Sequence, residues 1–228
     1  MIKALIPARG GSKGISNKNM VLFDGKPLIF YTINEVLKIL SPENIYLSSD
    51  SDEILNYGKK FNINLIKRPN KISGDQSTST DVIKHFIQKI ELQDKNDYTI
   101  LYLQPTSPLR KSFHIEESLS MFKDNSCDSL ISVARSKELP NKTYIMNKKR
   151  RLEKMINSQN QSELRQKLPD SYYPNGAIYI FNKFSFLKEE SIPKKNILPY
   201  NMSQKYSIDI DTEIDLKIAE FLSLNSIK

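Results

Sequence analysis

Two groups of residues, far apart in this chain, have the types and spacing to handle a polyphosphate together. Near the N-terminus, Ala8-Arg9-Gly10-Gly11-Ser12-Lys13-Gly14 leads into Asn17-Lys18-Asn19. Glycines let backbone amides approach anionic oxygens closely. Arg9, Lys13 and Lys18 add the charge that amides lack, and Ser12 adds a further donor. Near the C-terminus, Ser207-Ile208-Asp209-Ile210-Asp211-Thr212 alternates apolar and acidic residues. On a strand this sets Asp209 and Asp211 on one face and Ile208 and Ile210 on the other. Two carboxylates suit Mg2+, a hard cation that keeps several waters and bridges substrate phosphates. The plainer alternatives are a glycine-rich surface turn and an aspartate that merely begins the last helix.

The glycine spacing excludes two well-known phosphate loops. Lys13 precedes Gly14 rather than following a glycine, so the Gly-x-x-x-x-Gly-Lys-Ser/Thr loop is absent. Gly10, Gly11 and Gly14 also miss the Gly-x-Gly-x-x-Gly dinucleotide spacing. Two further stretches carry polar groups beside apolar runs. Gln104-Pro105-Thr106-Ser107-Pro108-Leu109-Arg110 follows a strand pattern, and ligands of open α/β sheets bind at strand carboxyl ends. Gln104, Thr106 and Ser107 offer donors and acceptors there, on a loop stiffened by two prolines; a rigid turn is the alternative. Pro174-Asn175-Gly176-Ala177 opens another apolar run, and Asn-Gly is first of all a turn signal.

These residues need a scaffold, and the alternation of apolar runs with helical patterns predicts an α/β fold with a mostly parallel sheet flanked by helices. Strands are expected at 2–7, 44–49, 63–67, 98–104, 128–135, 176–182 and 207–211. Helices are expected at 28–40 behind Pro27, at 51–61, at 80–92, at 113–123 and from Thr212 onward. Val82, Ile83, Phe86, Ile87 and Ile90 share one helical face. Ser79 or Thr80, and Ser112, are the expected caps of their helices, and Thr212 with Asp215 forms a capping box. Residues 137–172 are polar, basic and aperiodic, too long for an ordinary connection, and read as an inserted hairpin plus short helix.

Composition narrows the classes. The 228 residues, 39% hydrophobic, fit one soluble domain spanning 1–228. No apolar stretch approaches a membrane span of roughly 20 residues. Pro7 and Arg9 interrupt any secretory leader. One cysteine, Cys127, and two histidines, His85 and His114, exclude a disulfide framework or zinc cluster. The expectation is a cytoplasmic protein with a buried thiol. The net charge of +8 and pI near 9.3 invite a nucleic-acid reading. Yet the basic residues are spread out, and the one dense run, Lys148 to Arg151, reads as a solvated turn. An overall positive field still attracts an anionic substrate.

Taken together, the four motifs resemble the bacterial N-acylneuraminate cytidylyltransferases, in order and at family-like spacing over essentially the whole chain. Ser16 stands where many relatives have proline, and Tyr173 where some carry a basic residue. The resemblance implies a nucleotidyltransferase-type fold and the reaction of CTP with a nine-carbon acidic sugar to give the CMP-sugar and pyrophosphate. It places Arg9, Gly11, Ser12, Lys13 and Lys18 on the triphosphate, and Asn19, Arg68, Ser77 and Ser79 around the cytosine and ribose. It places Gln104, Thr106, Ser107, Asn175, Gly176 and Tyr179 on the sugar side. Lys142 and Arg165, in the insertion, would engage the substrate acid. Asp209 and Asp211 would hold Mg2+, with Mn2+ as a substitute. Arg9, Lys18, Asp209 and Asp211 are the catalytic set. The insertion would form a homodimer interface. Sialic acid is the expected sugar, with legionaminic acid, pseudaminic acid or Kdo as alternatives, and a basic nucleic-acid binder is the reading from a different class. His85 and His114 fall in helical patterns, so neither is expected to serve as a base.

Overall fold

The computed structural model describes residues 1–12, 14–92, 95–156 and 169–224. Its centre is a seven-stranded sheet built from β1 (Ile2–Pro7), β4 (Ile45–Ser49), β5 (Asn64–Lys67), β6 (Thr99–Tyr102), β7 (Ser129–Arg135), β10 (Tyr172–Asn182) and β11 (Ile197–Asn201). The intervening numbers are two small hairpins, β2 (Leu22–Phe23) with β3 (Lys26–Pro27), and β8 (Tyr144–Met146) with β9 (Leu152–Lys154). The strand order is β11-β7-β10-β6-β1-β4-β5. All pairings are parallel except those of β10 with β6 and β7. The chain leaves β1 toward β4 on one side and later returns to β6 on the other. The carboxyl ends of β1 and β6 therefore flank a topological switch point, the crevice where open sheets take ligands. Because β10 runs backwards, its beginning rather than its end reaches this same edge.

Six helices complete the described architecture: α1 (Leu28–Leu37), α2 (Asp52–Gly58), α3 (Ser79–Glu91), α4 (Ser112–Asp124), α5 (Lys183–Glu189) and α6 (Glu213–Leu224). Strand alternation decides which helices cover which face. Ala4 and Ile6 point to one side and pack with Ile29, Ile33 and Val36 of α1, Ile54 of α2 and Ile115 of α4. Leu5 points to the other and packs with the apolar face of α3 and with Phe186 of α5. Fully burying each such side chain contributes roughly 1.5–3 kcal/mol. A third cluster joins Ile15, Phe23, Leu28, Leu109, Ile210 and Ala219. It fastens the chain after the N-terminal loop to the segment leading into α6.

The helix starts differ in detail from the sequence expectation. Thr78, not Ser79 or Thr80, caps α3 in a reciprocal capping box with Asp81. Ser112 is the first residue of α4 rather than its cap. Its backbone N–H donates to Glu35, and His114 Nδ1 accepts from the Lys111 N–H. Thr212 and Asp215 form the expected reciprocal pair ahead of α6. Helix α1 begins at Leu28 and ends at Leu37, and α2 ends at Gly58, both short of the expected bounds.

Residues 207–211 are not a strand. The segment is irregular, anchored by Ile210 N–H donating to the Thr106 carbonyl at 2.8 Å. Alternation persists without a ladder: Ile210 is buried, while Asp209 and Asp211 are exposed. The seventh strand is instead β11, which carries Pro199 at the sheet edge, where a missing donor is tolerated. Within 137–172 the expected hairpin is β8–β9; residues 157–168 of this stretch lie outside the described ones.

Candidate active site

A cleft of about 310 Å3 opens at the carboxyl ends of β1 and β6. Arg9, Ser12, Lys18, Asn19, Arg68, Ser77, Ser79, Gln104, Thr106, Asp209 and Asp211 line it. The two groups read separately in the sequence thus share one cavity. Lys13 and Arg165 lie outside the described residues. Gly11 is an exposed part of the loop that does not line the cleft, and Lys142 stands exposed near the base of the β8–β9 hairpin, away from it.

The N-terminal loop is held from beneath. Ala8 N–H donates to the Ser48 carbonyl, and Gly10 N–H donates to Asp50 Oδ1 at 3.0 Å. Asn19 is buried, and its side chain donates to the Arg9 carbonyl at 2.9 Å. Ser12 Oγ donates to the Ile15 carbonyl at 2.7 Å. Gly14 packs directly on the other half of the site: a Cβ built there would stand 2.0 Å from the Asp211 carbonyl oxygen. Only glycine allows the loop to approach the acidic segment so closely. Two ion pairs neutralise the loop's cations in part: Arg9 Nη1 to Asp75 Oδ1 at 2.9 Å and Lys18 Nζ to Asp211 Oδ1 at 2.8 Å.

Arg68, at the end of β5, is buried; Nε donates to Ser73 Oγ, and Asp50 lies 3.8 Å from Nη2. Burial lowers its pKa against the opposing pull of Asp50. Across the cleft, the Asp209 carboxyl is raised above its ordinary value. Withdrawal from bulk water is the largest cause, the Thr106 hydroxyl opposes it, and the neighbouring charge of Asp211 adds to it. Asp209 is open to water yet set in the concavity, so solvent reaches it without hydrating it fully. Two close, hard-oxygen carboxylates of like charge, one under-solvated, fit a divalent cation completed by phosphate and water. Among the described residues no group of three or more His, Cys, Asp or Glu could hold a metal. Asp209 and Asp211 would therefore be the protein's share of a site that needs substrate oxygens.

The sugar-side residues divide in two. Gln104 and Thr106 line the cleft. Gly176, at φ +76°, sits where β10 shifts register, and its Cα side faces Gln104 Oε1 and Asp209 Oδ2. Tyr179 is half-buried with its ring 6.0 Å from that of Tyr102, and burial raises its pKa, helped by Tyr102 and Asp209. Asn175 and Ser107 point inward. Asn175 is buried, accepts from Ser132 Oγ and Ala177 N–H, and donates to Ser207 Oγ. Ser107 is 1% exposed and does not line the cleft. The Asn175 amide thus shapes the β10 bulge and ties it to the segment ahead of Asp209.

Sequence reasoning missed Tyr102, Asp75 and Asp50. Tyr102 ends β6 two residues before Gln104, and period-two alternation through the expected strand 98–104 would have put both on one face. Nothing local marks Asp75 or Asp50, because their partners Arg9, Gly10 and Arg68 come from other segments. Cys127, expected as a buried thiol in a strand, lies two residues before β7 and is half-buried; burial, with the neighbouring Asp128 charge, raises its pKa, as for an unreactive thiol.

An α/β sheet with a cationic loop and paired carboxylates around its switch-point cleft defines a nucleotide-handling class of protein. The cytidylyltransferase family model matches residues 3–227, and the chain belongs to that family. It is 35% identical over 213 residues to an N-acylneuraminate cytidylyltransferase of Streptococcus agalactiae serotype III, covering 92% of this chain and 50% of the relative. It is 28% identical over 219 residues to a pseudaminic acid cytidylyltransferase of Campylobacter jejuni, covering 96% and 94%. The chain spans about half the length of the first of these relatives. In fold it resembles a CMP:2-keto-3-deoxy-manno-octonic acid synthetase solved with CTP, at a TM-score of 0.72 and 15% identity, covering 99% of each chain. No helix among the described residues is long and apolar enough to cross a membrane.

Proposed function

We propose that this chain transfers a cytidylyl group from CTP to a nine-carbon acidic sugar, with N-acetylneuraminic acid as the first choice. The anomeric hydroxyl attacks the α-phosphorus. An O–P bond forms to the anomeric oxygen, whose proton is released to solvent, the bond from the α-phosphorus to the bridging oxygen breaks, and pyrophosphate leaves with that oxygen. The observation that carries this reading is the convergence of Arg9, Ser12 and Lys18 with Asp209 and Asp211 in one cleft. Arg9 and Lys18 are positioned to neutralise charge that develops on the departing pyrophosphate. Arg68, Asn19, Ser77 and Ser79 form the wall suited to cytosine and ribose, and Gln104, Thr106 and Gly176 border the space left for the sugar. Mg2+ held by Asp209 and Asp211 would supply Lewis-acid charge withdrawal from the phosphoryl oxygens. Much of the acceleration comes from alignment of the two substrates in one cleft.

Two extensions follow from the same reading. Tyr144, Met146 and Leu152 share one exposed face of the β8–β9 hairpin, with exposed Ile145 on the other, which supports the insertion as the contact of a homodimer. The chain's similarity to a sialic and to a pseudaminic acid enzyme makes the sugar the quantity to measure. Pyrophosphate release is assayed with each of the four nucleoside triphosphates against a panel of nine-carbon acids and Kdo, with and without Mg2+. Turnover confined to CTP and one acid, and dependent on the cation, is expected. Equal turnover with all triphosphates, or none with any acid, overturns the assignment. Light scattering of the purified protein reads the dimer.

A further inference from the structure

Arg110 ends the Gln104–Arg110 loop, and its side chain turns away from the cleft into the protein, where it is 1% exposed. Nη1 donates to the Gln104 carbonyl at 3.0 Å and to the Ala177 carbonyl at 2.8 Å. Nη2 donates to the Thr32 hydroxyl on α1. The fork thus spans the end of β6, the bulge of β10 and the helix beneath them. Among the described residues no carboxylate bonds to this cation. Glu35, the acid that acts on it through space, is committed to Lys38 and to the Ser112 N–H. Burial accordingly pulls the Arg110 pKa down to about 9. Leaving a buried guanidinium without an ion-pair partner is costly, and neutral carbonyls only partly offset it.

What the fork joins gives that cost a purpose. Gln104 lines the cleft, and Gly176, which Ala177 directly follows, packs against the Gln104 side chain. A Cβ at Gly176 would lie 2.7 Å from Gln104 Oε1 and 3.3 Å from Asp209 Oδ2. The Gly176 backbone thus packs against the Gln104 and Asp209 side chains, beside a proposed metal-binding carboxylate. The planar, two-pronged guanidinium can hold both carbonyls and the hydroxyl at fixed separations, which a lysine ammonium cannot.

We infer that Arg110 is a positioning residue: a buried clamp that sets the Gln104–Gly176 spacing and so shapes the acid-sugar half of the cleft without touching substrate. This rests on the cytidylyl-transfer reading for its kinetic consequence, but not for its structural one. The nucleotide half, built on β1, β4 and β5, lies outside its reach.

Two variants test the clamp. Arg110→Lys keeps the charge but not the fork, and Thr32→Val removes one of its acceptors while retaining volume. Amide hydrogen exchange is followed on residues 103–107 and 174–179, with β1 and β4 as internal reference. Both segments are expected to exchange about tenfold faster in Arg110→Lys, less so in Thr32→Val, with the reference strands unchanged. Steady-state kinetics should show KM for the sugar acid raised about tenfold while KM for CTP stays within about twofold. Unchanged exchange in both segments overturns the clamp. So does a uniform rise over all strands, which marks a merely structural arginine, or an equal change in both KM values. A wild-type protein inactive on every nucleotide and acid pair overturns the proposed function instead, and the exchange data still decide the clamp. If Arg110→Lys fails to fold, Thr32→Val decides it by the same readouts.

Discussion

Lys18 Nζ lies 2.8 Å from Asp211 Oδ1, joining residues 193 positions apart across the mouth of the cleft. The lysine is largely covered, while the aspartate side chain is 73% exposed. An ion pair with so open a partner contributes at most about 1 kcal/mol to stability. Its significance is placement: a cation suited to the phosphate chain and a carboxylate suited to a metal stand in contact. Substrate and metal would have to separate them, each taking one partner.

Lys18→Ala should therefore separate activity from stability. The melting temperature is expected to stay within about 4 °C of the parent, given so small a contribution. Turnover should fall about 10²-fold, as when one electrostatic stabiliser of a developing anion is removed. A melting curve and a pyrophosphate-release assay on the same preparation measure both. A large loss of stability would make Lys18 structural.

Removing the carboxylates one at a time tests the metal assignment. Asp209→Ala and Asp211→Ala are each expected to lower turnover at least about 10²-fold. Both variants should also need more Mg2+ for half-maximal rate. A cation titration of the residual activity reads this directly. Near-normal rates in either variant remove that residue from the site.

Gly14→Ala probes the seam between the two halves. The new methyl would meet the Asp211 backbone carbonyl at 2.0 Å, and no side-chain rotation can relieve that contact. Either the loop or the acidic segment must move. Turnover should drop about as far as in the Asp211 variant, since misplacement by about 1 Å can cost 10²-fold. Gly11→Ala, with nothing within 4 Å of its Cβ, is the matched control expected to keep most of its activity.

Acid stability should report on His114. It is buried, its Nδ1 accepts the Lys111 N–H, and burial, its largest influence, lowers its pKa from 6.5 to about 4. Between those values the unfolded chain binds the proton and the native protein does not. Native stability is thus complete above pH 6.5 and is lost as the pH falls toward 4, by about 2 kcal/mol at pH 5 from this group. Urea unfolding of the parent and of His114→Gln at pH 7.5 and pH 5 should show a smaller pH-dependent loss in the variant.

Much of this molecule is legible one segment at a time. The apolar face of α3 was visible because Val82, Ile83, Phe86, Ile87 and Ile90 recur at helical spacing and all are buried as expected. The core strands β1, β4, β6 and β7 announce themselves as apolar runs of strand length, and they form at nearly the expected bounds. The cationic loop and the Gln104–Arg110 loop were also visible, because local composition marks a strand end carrying polar groups, and the Asp209–Asp211 pair was visible from its apolar–acidic alternation alone. The edge strand β11 escaped because Pro199 breaks its donor ladder. Residues 207–211 looked like a strand because alternation is a property of the segment, whereas a strand also needs a neighbour to bond.

The sequence by itself determined the chemical inventory: which cations, carboxylates and amides exist, and which lie at the ends of buried runs. Only the tertiary structure decided that Lys18 meets Asp211, that Gly14 packs on the Asp211 carbonyl, and that Arg110 turns inward to bind two strand ends. It also turned Asn175 and Ser107 away from the cleft and set Asp50 beneath the loop. Each of these depends on segments tens to hundreds of residues apart being brought together by the parallel sheet and by the shared burial of Ile15 with Ile210. Local periodicity carries no information about that distance, because the free energy that closes it comes from burying surfaces of both partners at once.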